Sequence, residues 1–215
     1  MDVVVSGTSR GIGEAVARLF LERGHRVFGF DVLGPAISHP SYTHVTHDIR
    51  HRVGHRVPDP EILVSCAGTL EEADAIAVNL TATIAFVEHF VRSPRLTSVL
   101  IVASASARNG SEFPLYVASK AGIVGYMKNL AGRVAERGIT CNAVSPGGVN
   151  TASNAHILES EELTRAVLAE TLLGKWADPE EVAELVYFLT VTNRSITGED
   201  ILIDNGEMLK SNFIW

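Results

Sequence analysis

The sequence predicts an α/β protein built on one doubly wound, mostly parallel sheet of seven strands with helices on both faces. Short runs rich in Val, Ile and Leu alternate with helical segments from one end of the chain to the other. Most of these runs are apolar at every position, which is typical of parallel strands covered on both sides. Repeated strand–helix–strand alternation implies right-handed crossovers. Because neither a linker nor a repeat interrupts it, we expect a single domain over residues 1–215.

The predicted elements follow one another along the whole chain. Predicted strands cover 2–6, 26–30, 43–47, 62–66, 98–103, 139–144 and 200–204. Predicted helices cover 11–23, 73–92, 116–136, 159–171 and 179–191, with a further, trimmed helix near 49–57. Gly24 supplies the C-cap of the first helix, while Asp178 and Pro179 supply the N-cap and first position of the last. Pro58 and Pro60 end the trimmed helix.

The composition excludes several kinds of partner. The net charge is −7 and no basic block offsets it, so we expect no nucleic-acid partner and no binding to an anionic membrane. No apolar run approaches the roughly 20 residues of a membrane span. A core-like strand follows Met1 almost at once, so we expect no signal peptide and a cytoplasmic protein. Cys66 and Cys141 lie in apolar runs and are predicted to be buried free thiols.

A glycine-rich loop follows the first strand. That strand runs directly into Ser6-Gly7-Thr8-Ser9-Arg10-Gly11-Ile12-Gly13 and then into a helix. One glycine turns the chain, one lets the backbone approach a pyrophosphate, and one allows the helix to pack closely on the strand. The helix N-terminus offers free N–H groups and the positive end of its dipole to phosphates. This order of strand, loop and helix predicts a dinucleotide site.

Two residues near this loop bear on the choice of dinucleotide. Asp31 ends the second strand, eighteen residues past Gly13, where a carboxylate accepts hydrogen bonds from ribose hydroxyls and repels a 2′-phosphate. The alternative for Asp31 is a solvated loop aspartate. Arg10 is the competing signal, because a basic residue just before Gly11 can pair with that phosphate. A single flexible arginine can also turn to solvent, so we predict a preference for NAD over NADP.

A tyrosine and a lysine mark the predicted catalytic helix. In Tyr116-Val-Ala-Ser-Lys120 the two functional groups share one helix face, because residues four apart are neighbours. A free tyrosine titrates near pH ~10, and an adjacent ammonium group favours the phenolate and lowers that pKa. Ser104 lies at the end of the fifth predicted strand, twelve residues before Tyr116, and is the candidate serine of the same site. Ser106, two residues further on, is the alternative candidate. The alternative interpretation is an exposed tyrosine–lysine pair.

These landmarks, in this order, resemble the short-chain dehydrogenase/reductase family. The Gly-x-x-x-Gly-x-Gly spacing, the Tyr-x-x-x-Lys helix and the later segment Pro146-Gly-Gly-Val-Asn-Thr151 are similar to its motifs, and the resemblance covers essentially the whole chain. It implies a Rossmann-type domain that binds NAD(P). The catalytic residues that it implies are Ser104, Tyr116, Lys120 and Asn79. The cofactor-binding residues that it implies are Gly7, Ser9, Arg10, Gly11, Ile12, Gly13, Asp31, Asp48, Ala67, Gly68, Tyr116, Lys120, Pro146, Gly147, Val149 and Thr151.

The chain departs from the family pattern in four places. Between Asp31 and Ser65 the third helix is trimmed to about residues 49–57. Ser65-Cys66 stands where relatives carry two asparagines, so we expect cofactor binding that is weaker but retained. Only ten residues separate Gly68 from Asn79, and the substrate loop around 151–175 is also short.

A group of histidines falls in the trimmed region. His47, His51 and His55 recur at i, i+4 and i+8, so a helix would let them face one way and hold a metal. Interleaved arginines would repel a cation there. We therefore predict a solvated basic face and no metal.

The resemblance implies an oxidoreductase that moves a hydride between nicotinamide and a secondary alcohol or ketone, with Tyr116 as general acid and base. One alternative is a dinucleotide sensor that kept the fold without the chemistry. Another is an epimerase or dehydratase of the extended branch, against which the glycine spacing and the short C-terminal region argue.

The expected partners are a small-molecule substrate and further copies of the chain, a homotetramer being favoured over a dimer. Apolar positions beyond one helix face support the oligomer, namely Ile84, Phe86, Val87, Phe90, Ile123, Val124, Tyr126, Met127 and the C-terminal Phe213-Ile214-Trp215.

Overall fold

A single sheet gathers strands from both ends of the chain. The computed structural model describes residues 1–54, 57–111 and 113–209. The strands are β1 Asp2–Ser6, β2 Arg26–Asp31, β3 Tyr42–Thr46, β4 Ile62–Ser65, β5 Ser98–Val102, β6 Thr140–Pro146 and β7 Asp200–Ile203. They lie in the order β3-β2-β1-β4-β5-β6-β7, and every neighbouring pair is parallel. The predicted fold class is confirmed. The strand order reverses between β1 and β4, and in such sheets ligands bind at the carboxyl ends of the strands flanking that switch point.

Helices connect the strands and cover both faces of the sheet. The α-helices are α1 Gly11–Glu22, α2 Thr83–Phe90, α3 Ser106–Asn109, α4 Pro114–Val134, α5 Ala155–Leu158, α6 Glu161–Ala169 and α7 Pro179–Tyr187. Two π-helical stretches adjoin them, Ile76–Ala82 before α2 and Phe188–Thr192 after α7. The substrate loop predicted at 151–175 contains α5 and α6, and no residue of these two helices is buried.

The helix predicted near 49–57 was wrong. Its described residues, 49–54 and 57, contain no helix, and the chain instead turns where the His51 N–H donates to the Asp48 carbonyl at 2.9 Å. The Asp48 carboxylate accepts from the Arg50 N–H at 2.9 Å, a local bond that competes with helix formation. Residues 55 and 56 lie outside the described part of the chain, and His55 with them.

The core lies in two layers, one on each face of the sheet. Along β1, Val3 and Val5 face one layer and Val4 the other, as the two-residue period of a strand requires. The first layer packs against α1 and α7 through residues such as Phe20 and Val186. The second packs against α2 and α4. This double coverage explains why β1 is apolar at successive positions.

The apolar positions that lie beyond one face of α2 and α4 belong largely to the second layer. Five of them are buried within the chain itself: Phe86, Val87, Phe90, Ile123 and Met127. The other three, Ile84, Val124 and Tyr126, are half-buried against the same layer. These positions therefore stabilise the core, and the homo-oligomer stays a prediction. Phe213-Ile214-Trp215 lies outside the described residues. Within the described residues, no helix is long and apolar enough to cross a bilayer.

Candidate active site

The glycine loop closes tightly at the carboxyl end of β1. Gly7 has a φ of +79°, and a Cβ there would come within 2.9 Å of the Ala67 backbone nitrogen. A Cβ on Gly13 would lie 2.1 Å from the Gly7 carbonyl oxygen. Neither position accepts a side chain without moving backbone. The loop therefore brings the first turn of α1 against the ends of β1 and β4.

A cavity of about 440 Å³ opens beside this loop. Ten of the predicted cofactor-binding residues line it: Gly7, Arg10, Gly11, Ile12, Gly13, Asp31, Asp48, Ala67, Gly68 and Thr151. The other six are absent from its lining: Ser9, Tyr116, Lys120, Pro146, Gly147 and Val149. The structure thus gathers most of the dinucleotide residues predicted after the first four strands, together with Thr151 from the segment after β6.

Asp31 is held in place at the rim by backbone N–H groups. Its Oδ2 accepts from Ser9 and its Oδ1 accepts from Leu33, both at 2.9 Å. The Ser9 hydroxyl in turn donates to the Gly34 carbonyl at 2.8 Å. Ser9 therefore acts on the site through Asp31. Arg10 is exposed at the same rim, and no ion pair joins it to any acid in the described part of the chain.

An ion-paired arginine in the cavity lining was not predicted. Arg50 pairs with Asp48 at 2.7 Å and with Asp74 at 3.6 Å, and all three residues line the cavity. The Arg50 guanidinium holds the pKa of the Asp48 carboxyl below its usual range, mainly through their hydrogen bonds. No local signal in the sequence links residue 50 to residue 74, because the pairing depends on how the two loops meet.

Cys66 follows β4 directly and lines the cavity next to the glycine loop, where a Cβ on Gly13 would lie 3.2 Å from the Cys66 Cβ. Burial raises the pKa of its thiol to about 12. Cys141 is buried in the core. Both cysteines are free thiols; Cys141 is buried as predicted, whereas Cys66 is half-buried because it borders the cavity. Among the described residues, no group of three or more His, Cys, Asp or Glu side chains could hold a metal ion.

Lys120 and Tyr116 meet at the carboxyl end of β5. The buried Lys120 ammonium donates to the Val102 carbonyl at 3.0 Å, and its Nζ lies 5.8 Å from the centre of the Tyr116 ring. Ser104 follows two residues after Val102 and is also buried, with its hydroxyl donating to Ser106 at 3.0 Å. The two competing serines thus form one hydrogen-bonded pair.

Asn79 joins this group from a π-helical segment, a type of helix that often marks functional positions. The side chain is buried. It accepts from the Thr69 N–H at 2.8 Å, donates to the Thr69 carbonyl at 2.9 Å and donates to Ser119 at 3.3 Å. A Cβ on Gly68 would lie 3.1 Å from the Asn79 Oδ1 and 3.7 Å from the Lys120 Nζ. Since Gly68 lines the cavity, both side chains stand directly behind the cavity wall.

The end of β6 and the segment after it connect the neighbourhood of Ser104 with the cavity. The Pro146 carbonyl accepts from the Ala105 N–H at 2.8 Å, next to Ser104. A Cβ on Gly148 would lie 2.1 Å from the indole nitrogen of Trp176, so the indole packs directly on the backbone. Val149 is buried and pairs with Ala177 in an isolated bridge, which leads the chain to Thr151 at the cavity.

A doubly wound parallel sheet with a glycine loop and a cavity at its switch point defines a Rossmann-type protein. A family described as "Enoyl-(Acyl carrier protein) reductase" matches residues 49–207. The chain is 31% identical to short chain dehydrogenase prhI of Penicillium brasilianum, over 94% of this chain and 95% of that protein. The chain belongs to the short-chain dehydrogenase/reductase family of oxidoreductases.

Solved structures agree with this fold. A 4-hydroxyisoleucine dehydrogenase mutant complexed with NADH and succinate matches with a TM-score of 0.89 and 22% identity, covering 99% of this chain and 100% of that one. A putative 2-deoxy-D-gluconate 3-dehydrogenase from Agrobacterium tumefaciens with bound NADP matches with a TM-score of 0.88 and 22% identity, covering 97% and 96%.

Proposed function

We propose that this protein transfers a hydride between a nicotinamide cofactor and a secondary alcohol or ketone, with a preference for NAD over NADP. The observation that carries the proposal is the position of Lys120. Its ammonium lies 5.8 Å from the Tyr116 ring centre, and it stands behind the cavity wall at Gly68. An ammonium beside a phenol favours the phenolate, which is what a tyrosine needs to act as a base near neutral pH.

Features of the cavity support a dinucleotide as its ligand. The glycine loop packs tightly against the end of β4 and places the N-terminus of α1 beside the cavity, where the positive end of the helix dipole would favour a pyrophosphate. At the rim, the fixed Asp31 carboxylate is suited to accept hydrogen bonds from ribose hydroxyls. NADH and NADP, bound to the two dehydrogenases of the same fold, support a nicotinamide cofactor.

Each catalytic side chain then has one role. A bound nicotinamide supplies the acceptor or donor of the hydride. In the oxidative direction, the Ser104 hydroxyl orients the substrate oxygen and the Tyr116 phenolate takes the proton from the alcohol. The Lys120 ammonium stabilises negative charge on the Tyr116 oxygen during the proton transfer. Asn79 holds the Gly68–Thr69 wall in place beside the Lys120 ammonium.

A turnover screen tests this proposal. Purified protein is incubated with NAD⁺ or NADP⁺ and secondary alcohols of graded size, and with NADH and the matching ketones, while nicotinamide absorbance is followed. We expect turnover with at least one alcohol–ketone pair, and its loss in Ser104→Ala. Binding of NADH without turnover of any substrate would support the alternative, a dinucleotide sensor.

Three further expectations rest on the family and the sequence. We expect a single domain over residues 1–215, which one sheet with strands from both ends supports. We also expect a cytoplasmic location. A homotetramer is favoured over a dimer, and light scattering at micromolar concentration tests it, since a monomeric mass would reject the oligomer.

A further inference from the structure

The N-terminus of α4 receives its cap from a different part of the chain. The helix begins at Pro114, and the residue before it, Phe113, provides no side-chain cap. Pro114 has no N–H, and the Val117 N–H already donates to the Phe113 carbonyl at 2.9 Å. The remaining first-turn donors are the N–H groups of Leu115 and Tyr116.

Both donors are taken up by one carboxylate. Glu72 Oε1 accepts from the Leu115 N–H at 2.7 Å, and Glu72 Oε2 accepts from the Tyr116 N–H at 3.3 Å. The Glu72 side chain thus replaces a local N-cap, and its negative charge lies at the positive end of the α4 dipole. One of its two partners is the backbone of the tyrosine that we assign to proton transfer.

Contacts on both sides of Glu72 fix the loop that carries this residue. On one side the Thr69 backbone exchanges two hydrogen bonds with Asn79, and on the other Asp74 pairs with Arg50 at 3.6 Å. Thr69 and Asp74 line the cavity, while Glu72 is turned towards α4. The ten-residue connection between Gly68 and Asn79 therefore forms a bridge from the cavity wall to the first turn of α4.

We infer that Glu72 is a positioning residue for Tyr116. It fixes the first turn of α4, and with it the tyrosine backbone, relative to the cavity wall. This inference rests on the proposed function, because it assigns Glu72 a role in the same reaction. A mispositioned general base loses rate while the separate dinucleotide contacts remain, so turnover falls more than cofactor binding.

Three variants test the inference. Glu72→Ala removes both hydrogen bonds, and Glu72→Gln keeps an amide oxygen that accepts one of them. Glu71→Ala is the matched control, since it removes the same charge from the neighbouring exposed residue, whose carboxylate has no described hydrogen bond. Each variant is compared for kcat, for KM of the cofactor and for amide hydrogen exchange at Leu115 and Tyr116.

We expect Glu72→Ala to lower kcat at least about tenfold with the cofactor KM within about threefold, and to speed exchange at both amides. Glu72→Gln should recover part of both losses, and Glu71→Ala should resemble the parent. Unchanged exchange in Glu72→Ala would overturn the capping role, and this readout needs no activity. Faster exchange with unchanged kcat, or an equal loss in Glu71→Ala, would overturn the positioning role. A parent protein without any turnover would instead reject the proposed function. Hydrogen exchange would then test the capping role of Glu72 alone.

Discussion

The carboxylate of Asp31 accepts a hydrogen bond of 2.9 Å from the backbone N–H of Ser9, inside the glycine loop. A second N–H, that of Leu33, holds the other carboxylate oxygen at the same distance. Each oxygen has a further lone pair, which remains available for a ribose hydroxyl. The carboxylate is thus oriented by the protein itself, so a 2′-phosphate placed there meets a fixed negative charge.

This geometry predicts a preference for NAD(H) over NADP(H) in kcat/KM of at least about tenfold, equal to about 1.4 kcal/mol. Arg10 lies exposed at the same rim and is the group that could favour the phosphate. Asp31→Ala should narrow or reverse the preference, because it removes both the acceptor and the repulsion. Arg10→Ala should widen it modestly. A parent enzyme that works better with NADP(H) would show that Arg10, and not Asp31, selects the cofactor.

Cys66 is predicted to be a slow thiol although it lines the cavity. Burial raises its pKa to about 12, so the thiolate that reacts with alkylating agents is scarce at neutral pH. We expect iodoacetamide to modify Cys66 in the native protein far more slowly than in denaturant, as followed by mass spectrometry. Cys141, whose pKa burial also raises to about 12, serves as an internal comparison in the core. Native Cys66 reacting as fast as the denatured thiol would contradict this prediction.

The environment of His25 predicts that the folded protein loses stability on mild acidification. It is buried beneath Tyr187, whose hydroxyl lies 3.2 Å from its Nε2, and the Met1 ammonium lies 3.4 Å from its Nδ1. Burial, and then this positive charge, lower the His25 pKa, and the nearby Glu61 opposes them only in part. The unfolded chain therefore binds a proton more readily than the folded chain, so stability falls as the pH drops below about 6.5.

Thermal unfolding measured from about pH 7.5 to about pH 5.5 checks this dependence. In His25→Gln the decrease in Tm should be smaller than in the parent. Some of it should remain, because burial also lowers the pKa of His89. His156→Gln, an exposed position without a described hydrogen bond, is the control and should follow the parent. If Tm depends on pH in His25→Gln as it does in the parent, His25 does not cause the loss of stability.

The fold was predictable because its signals are local. Apolar runs, the glycine loop and the Tyr116–Lys120 spacing each depend on neighbouring residues, and each lies where predicted. The helix near 49–57 was predicted wrongly because the Asp48 side chain bonds the backbone two residues on and favours a turn.

Other features depend on contacts between distant segments. Arg50 meets Asp74, and Glu72 caps α4, because the fold places the loop after β4 next to both segments. The lengths of the loops were visible in the sequence, but the partner of each side chain was not. The apolar positions on α2 and α4 show the same limit, because a periodic pattern does not reveal how deep the core beneath a helix is.

The most direct test of the central claim removes a single oxygen atom, that of the Tyr116 hydroxyl. Tyr116→Phe removes the phenol hydroxyl and should lower kcat by about 10²-fold or more, with the dissociation constant for NADH nearly unchanged. Tyr126→Phe is the matched control on the same helix. Its hydroxyl donates to Glu88 of α2 at 2.9 Å and has no role in the proposed reaction, so the variant should keep the parent's kcat. If Tyr116→Phe retains turnover within a few-fold of the parent, Tyr116 is not the proton-transfer group and the proposed mechanism is wrong.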